Sequence, residues 1–371
     1  MRCMKVSLLI SLVLQFVGTI SAQRSGVLLG VTDAITDQSG DYDDFSTIHP
    51  PSYRTLWIAR DANGELKILA TLPELIVPRR DGFWHVGISQ RCAIDDSNKD
   101  FPIESLTQDV WAAPVGKTSP IGESGPCPLH KPEDYAPLYG RSEEDKGKLA
   151  QCGFALASIH YLSPEIMGMS MEEGGSEACE AGRGGRITKK YSVRHFDYQA
   201  IGFGQLGPAA RDAYFKALPK QGTNSFGTAC GDTSNDEDMG WRVEHKSGSW
   251  RPYAHQSLGF FECAADAPIH FQLPAAVTGD VMTPLDWKVI RSRIGDISDA
   301  FASPDGDMLI AITKSEMRFF EARKGVPGKL LLTLPAGEMV MVQWATGTHV
   351  QDWTTELGKL PKQPLPAHRT N

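Results

Sequence analysis

The stretch Leu56-Trp57-Ile58-Ala59-Arg60-Asp61-Ala62-Asn63-Gly64-Glu65-Leu66-Lys67-Ile68-Leu69-Ala70-Thr71-Leu72 decides the fold class. A short apolar run, Leu56 to Ala59, is followed by Asn63-Gly64 and then by Leu66, Ile68, Ala70 and Leu72 at alternate positions. Asn-Gly readily takes the positive φ angles of a tight two-residue turn, and a period of two places alternate side chains on one sheet face. The spacing predicts a β-hairpin with those four side chains on one face. A third strand is expected through Leu75 to Val77, with a turn at Asp81-Gly82 leading into Phe83 to Ile88, which together read as a meander. Upstream, Val27 to Val31 reads as the first strand.

The same pattern returns near the C-terminus in Ser303 to Thr313, SPDGDMLIAIT. Pro304-Asp305-Gly306 is a turn and Met308 to Ile312 a buried strand. Met317–Ala322, Lys329–Leu334 and Met339–Trp344 follow as short strands separated by Gly or Pro, so four strands in about 40 residues form a unit the size of one propeller blade. A weaker echo links Val77 to Trp84, VPRRDGFW, with Val243 to Trp250, VEHKSGSW, which share Val, Gly and Trp at equal spacing. Ser-Pro-Asp-Gly before a strand resembles the blade openings of extracytoplasmic β-propellers over one tetrapeptide and about 45 residues. No regular period runs through the middle of the chain. The fold class expected is therefore mainly β, either an irregular β-propeller-like arrangement or stacked antiparallel sheets, with one or two short helices.

Those helices are expected at Pro208–Leu218, where Pro opens an Ala-rich run and Pro219 closes it, and at Val350–Leu360. Phe154–Leu162 and Arg186–Phe196 read as strands. The segment 95–148 is rich in Pro, Gly and charge and reads as a long ordered connection held by Cys127. It marks the one weak boundary within an otherwise single region, 23–371.

Of the 371 residues, 41% are hydrophobic and 22% charged, which excludes disordered and collagen-like chains. A net charge of -8 leaves no broad basic surface for phosphate backbones, so nucleic acid is not an expected partner. Residues 1–22 have the layout of a secretory signal peptide: Arg2 and Lys5, an apolar run from Val6 to Val17, then small residues up to Ala22. The run is shorter than the roughly 20 residues a spanning helix needs. The greasiest later stretch, Leu330 to Trp344, is broken by Pro335 and Glu338, so no transmembrane anchor is expected in the mature chain. The expected location is secreted or periplasmic.

Loss of the leader removes Cys3 and leaves Cys92, Cys127, Cys152, Cys179, Cys230 and Cys263. An even number in an exported chain, without a CxxC pair, points to three disulfides rather than a zinc ribbon; sequence alone leaves all 15 pairings open. In GDTSNDEDMGW, Asp232, Asp236 and Asp238 form an acidic loop whose oxygens suit Ca2+. The Gly and Glu of an EF-hand are missing at their required positions, so a solvated loop stands beside that reading and no cofactor is otherwise implied. Arg183, Arg186, Lys189, Lys190 and Arg194 form the one strongly basic stretch. It suits an anionic envelope polymer, a lipid headgroup or a protein partner, with an ordinary solvated strand or a Lys-protected edge as the alternative.

No G-x-S-x-G, H-E-x-x-H or P-loop pattern occurs. Among the aromatics, Trp344 is expected in the core and Trp111 at an exposed site. These features describe an exported, disulfide-stabilised β protein acting as an extracytoplasmic binding or interaction module, with its ligand and partner unknown. The alternative is an extracytoplasmic hydrolase whose carboxylates or Ser and His come together from distant loops. A Ser within hydrogen-bond reach of a His would favour the hydrolase.

Overall fold

The computed structural model describes residues 25–32, 48–95, 99–100, 102–117, 135, 142–175, 188–195, 200–201, 206–217, 221–223, 229–232, 239–258, 263–278 and 285–363. In chain order the strands are β1 (Gly26–Thr32), β2 (Tyr53–Arg60), β3 (Leu66–Leu72), β4 (Leu75–Arg79), β5 (Gly82–Asp95), β6 (Ile103–Pro114), β7 (Ala150–Leu162), β8 (Ile166–Gly175), β9 (Thr188–His195), β10 (Ala200–Ile201), β11 (Gln221–Thr223), β12 (Ala229–Asp232), β13 (Met239–Lys246), β14 (Ser249–Leu258), β15 (Cys263–Pro268), β16 (Asp299–Ala302), β17 (Met308–Ile312), β18 (Glu316–Arg323), β19 (Val326–Pro335) and β20 (Glu338–Ala345). The helices are α1 (Pro208–Ala217), the single turn α2 (Ala275–Thr278), α3 (Trp287–Ile294) and α4 (His349–Gly358).

Four sheets, in the orders β20-β1-β2-β3, β10-β9-β8-β7-β6-β5-β4, β12-β11-β15-β14-β13 and β16-β17-β18-β19, form a four-bladed, propeller-like arrangement. The expectation of a mainly β, propeller-like fold therefore holds. The first sheet joins the two ends of the described chain. β20 pairs antiparallel with β1, Val27 opposite Trp344 and Leu28 opposite Gln343. A closed ring leaves no gap between first and last blade, and pairing distant segments in one sheet is how a propeller closes it.

β1 is buried along its whole length. Its period of two sends Val27, Leu29 and Val31 to a cluster with Ile58 of β2 and with Phe301, Ile310 and Phe319 of the fourth sheet. Leu28 faces the other side, where Trp57, Leu75, Val77 and Val86 join the first sheet to the second. Trp57 is fully buried there, and burying roughly 150 Å2 of it contributes about 4 kcal/mol. Its indole Nε1 donates to Thr354 Oγ1 of α4 at 3.1 Å, which docks the C-terminal helix. Between the second and third sheets, Tyr161, Ile166, Trp241, Val243 and Ala254 pack with Ala210 and Tyr214 of α1.

Several local expectations are corrected. The β2–β3 connection is a five-residue loop between the paired Arg60 and Leu66, not a two-residue Asn-Gly turn. The Asp61 carboxylate captures the Asn63 and Glu65 amides at 2.9 and 3.0 Å, and only Gly64 takes a positive φ, 79°. The tight two-residue turns occur instead at Ser247-Gly248 and Lys324-Gly325, where both residues have positive φ. A bulge in β3 also splits the apolar set that alternation places on one face. Leu66 and Ile68 join the cluster shared with the fourth sheet, whereas Ala70 and Leu72 join the one shared with the second.

The meander ends at β3, because β4 and β5 belong to the second sheet. β17, β18 and β19 form a blade with β16, while β20 leaves that unit to close the ring. Segment 95–148 contains the 12-residue strand β6, so it is not solely a connection. The helices expected at 208–218 and 350–360 are present, and α3 was not anticipated. Its N-cap is Asp286, whose side chain accepts from the Val289 amide at 3.1 Å.

Candidate active site

β7 and β8 form a hairpin whose turn is fixed by Ser163. Its amide donates to the Ile166 carbonyl at 2.8 Å, and its hydroxyl accepts from the Ile166 amide at 3.1 Å. From that turn the ladder pairs Leu162 with Met167 and Tyr161 with Gly168, then resumes at Ile159 opposite Met169. His160 is the extra residue of a β-bulge. Bulges bend the strand and re-aim a side chain, and they concentrate beside functional sites.

The re-aimed imidazole brings Nε2 to 2.7 Å from Ser170 Oγ on β8. Its Nδ1 lies 3.9 Å from Glu338 Oε1, at the start of β20 in the neighbouring sheet. A carboxylate on that side favours the tautomer with the proton on Nδ1, leaving Nε2 to accept from the serine hydroxyl. Ser170 is 3% exposed and the His160 side chain 19%, so the imidazole side is the open side of the pair.

The opposite edge of β7 explains why the bulge holds its shape. Parallel pairing with β6 ends at Ala155, and the next two amides on that edge are taken by side chains. Ala157 donates to Gln108 Oε1 at 3.0 Å and Ile159 to the Tyr53 hydroxyl at 2.7 Å. Gln108 Nε2 in turn donates to Gln90 Oε1 at 2.9 Å, and Gln90 Nε2 to the Ile48 carbonyl at 2.9 Å. The Tyr53 hydroxyl also faces the Ile159 carbonyl, at 3.4 Å. Burial, assisted by the nearby Glu338 charge, pushes the Tyr53 phenol well above its ordinary range despite the opposing contact with Ile159, so it stays protonated.

Among the described residues two further imidazole–carboxylate pairs have a largely buried imidazole, while His349 and Asp352, 3.9 Å apart on α4, form an exposed one. His245 Nδ1 meets Asp299 Oδ2 between β13 and β16, while Asp299 Oδ1 accepts from the Gly248 and Ala300 amides, both at 2.9 Å. The His245 ring stacks on Phe301 with centroids 3.8 Å apart and meets Trp250 edge-on. His85 Nδ1 lies 2.9 Å from Glu74 Oε2 and its ring packs edge-on against Trp111. In both pairs Nε2 is buried and faces no hydrogen-bonding group. Neither imidazole has a hydroxyl to activate, which sets both apart from His160. The His245–Asp299 contact ties the third sheet to the fourth, whereas His85 and Trp111 lie on adjacent strands of the second sheet.

Trp111, expected to be exposed, is 7% exposed. It lies over Gly87, where an added Cβ would come within 2.8 Å of the indole, so this glycine makes room for the ring. Trp344 is half-buried against the cluster between the first and fourth sheets, in line with its expected core position.

Of the calcium candidates, Asp232 ends β12, with its side chain outside the described residues; Asp236 and Asp238 lie outside them entirely. Among the described residues, no group of three or more His, Cys, Asp or Glu is placed to hold a metal ion. Arg183 and Arg186 also fall outside. Lys189, Lys190 and Arg194 sit on β9, opposite Glu172, Met171 and Met167 of β8, and their side chains are not described. Cys92 on β5 is disulfide-bonded. Cys152, Cys230 and Cys263 lie on β7, β12 and β15 with side chains not described, and Cys127 and Cys179 lie outside. Residues 1–22, read from sequence as a leader, also lie outside. No helix among the described residues is long and apolar enough to cross a membrane.

His160, Ser170 and Glu338 were not singled out from sequence. Ser163-Pro164 signals the hairpin turn, but nothing in the sequence signals the bulge that brings residue 160 to residue 170. No family model and no curated protein matches this chain. Among solved structures, a periplasmic gluconolactonase from Pseudomonas aeruginosa aligns over 87% of this chain and 100% of its own, at 8% identity and a TM-score of 0.23. A likeness that faint carries no argument about activity.

Proposed function

We propose that this protein is an exported hydrolase of the serine acyl-transfer type, with Ser170 as nucleophile, His160 as general base and Glu338 as the carboxylate that orients the imidazole. The observation that carries the proposal is the 2.7 Å contact between His160 Nε2 and Ser170 Oγ. In the acylation step Ser170 Oγ attacks the carbonyl carbon of an ester while its proton passes to His160 Nε2. The imidazolium then gives that proton to the departing alkoxide, leaving an acyl-serine. Water, deprotonated by the same nitrogen, releases the acid and restores the hydroxyl. Glu338 stays ionised throughout and stabilises the transient imidazolium. Export rests on the leader read from residues 1–22, and the cystine at Cys92 agrees with an oxidising compartment.

The near-complete burial of Ser170 favours a second reading, a binding module in which the Ser170–His160 contact only pins the β7 bulge. The two readings separate in a turnover assay with p-nitrophenyl acyl esters of increasing chain length. Hydrolysis by the wild-type protein that falls by at least about 103-fold in Ser170→Ala supports the hydrolase. Hydrolysis absent from the folded wild type, or unchanged in that variant, leaves the binding module.

A further inference from the structure

We infer that Tyr53, on a different sheet from the Ser170–His160 pair, is its positioning residue, fixing the angle at which the imidazole meets the hydroxyl. The inference rests on the hydrolase reading and names the group on which that site depends. Where pairing with β6 stops, the edge of β7 leaves backbone groups outside the ladder, and each needs another partner if it is buried. At Ile159, directly before the displaced His160, that partner is the Tyr53 hydroxyl, accepting from the amide at 2.7 Å and facing the carbonyl at 3.4 Å. A single hydroxyl thus engages both backbone polar groups of Ile159, the residue directly before His160.

The phenol suits this task. Its ring is 7% exposed and packs in the cluster joining the first and second sheets with Trp57, Leu162 and Met167. Because burial holds it protonated, it is donor and acceptor together. Tyr53 also opens β2, the strand next to β1, and β1 pairs with β20, which carries Glu338. The residue that holds the bulge and the carboxylate that orients the imidazole therefore belong to one sheet, while His160 and Ser170 belong to another. Relative movement of the two sheets would disturb both contacts of the imidazole at once.

The test compares Tyr53→Phe with Tyr214→Phe, which removes a hydroxyl from a fully buried tyrosine packed between the second and third sheets, where the hydroxyl meets the backbone of β13 at Gly240 and not that of β7. Two quantities are read: the 15N resonances of the His160 ring, and kcat and KM on a p-nitrophenyl ester. Tyr53→Phe is expected to move the Nε2 resonance towards its position in Ser170→Ala and to lower kcat by on the order of 10- to 100-fold with KM within about twofold. Tyr214→Phe should move neither. An unchanged His160 ring in folded Tyr53→Phe, or equal losses in the two variants, overturns the inference.

If Tyr53→Phe does not fold, amide hydrogen exchange in the wild-type protein decides. Protection at Ile159 comparable with that at Ala157 supports the hydroxyl contact, and exchange at the unprotected rate refutes it. A wild type that shows the nitrogen response but no turnover removes the hydrolase reading alone and keeps Tyr53 as the residue that positions the pair.

Discussion

The backbone amide of Ser25 donates to the Oδ2 of Asp307, 282 positions away, at 2.9 Å. This bond ties the start of the first sheet to the turn that opens β17 in the fourth, beside the junction that closes the ring. Asp307 is itself held by Ser303, whose hydroxyl donates to Oδ1 at 2.7 Å and accepts from the Asp307 and Met308 amides.

Acid should weaken this junction. Burial raises the Asp307 carboxyl, but the donations from Ser303 and Ser25 outweigh it and hold the group below the ordinary aspartate range. A carboxyl lowered in the folded state contributes stability above its unfolded pKa of about 3.9, and that contribution is lost as pH falls through the folded value. Asp307→Ala is expected to cost about 1–3 kcal/mol near pH 6, since the buried Ser25 amide loses its acceptor. The difference from wild type in urea midpoint should shrink below pH 4. A difference that stays constant down to pH 2.5 would contradict this.

The docking of α4 depends on a polar contact inside an apolar interface. Thr354→Val preserves side-chain shape but leaves Trp57 Nε1 without its acceptor. Trp57 and Trp353, with ring centroids 5.6 Å apart, should remain in contact. The expected loss is about 1–2 kcal/mol by urea unfolding with the far-ultraviolet circular dichroism of the folded protein unchanged.

The open edge of β7 should be equally sensitive at Gln108, which is buried between Gln90 and the Ala157 amide. Gln108→Leu leaves two buried polar groups without their partner and is expected to cost about 2–4 kcal/mol. Exchange of the Ala157 amide should rise more than that of the Tyr161 amide. Equal changes at both positions would point to general loosening of the strand.

What could be read from sequence was local. β17 follows from the Ser-Pro-Asp-Gly turn before Met308, and α1 from Pro208 and the alanines after it, because turn chemistry and helix propensity act within a few residues. The Asn63-Gly64 turn was misread because the Asp61 carboxylate, two residues upstream, captures the loop amides. Trp111 was misread because its burial depends on Gly87, a cross-strand neighbour on β5. β20 was assigned to its sequence neighbours because nothing local marks β1, more than 300 positions earlier, as its partner. The candidate site was hidden for a related reason. His160 and Ser170 face each other only because one residue bulges out of register, and Glu338 arrives from another sheet. Most of the aspartates, basic residues and cysteines selected by composition lie, whole or by their side chains, outside the described residues.

Covalent capture of Ser170 tests the central claim most directly. The wild-type protein treated with a fluorophosphonate probe and mapped by peptide mass spectrometry should carry one phosphonyl adduct on Ser170, absent in Ser170→Ala and formed at least about 102-fold more slowly in His160→Gln. A folded protein that hydrolyses esters but takes no adduct on Ser170, or labels there at an unchanged rate without His160, would contradict the account.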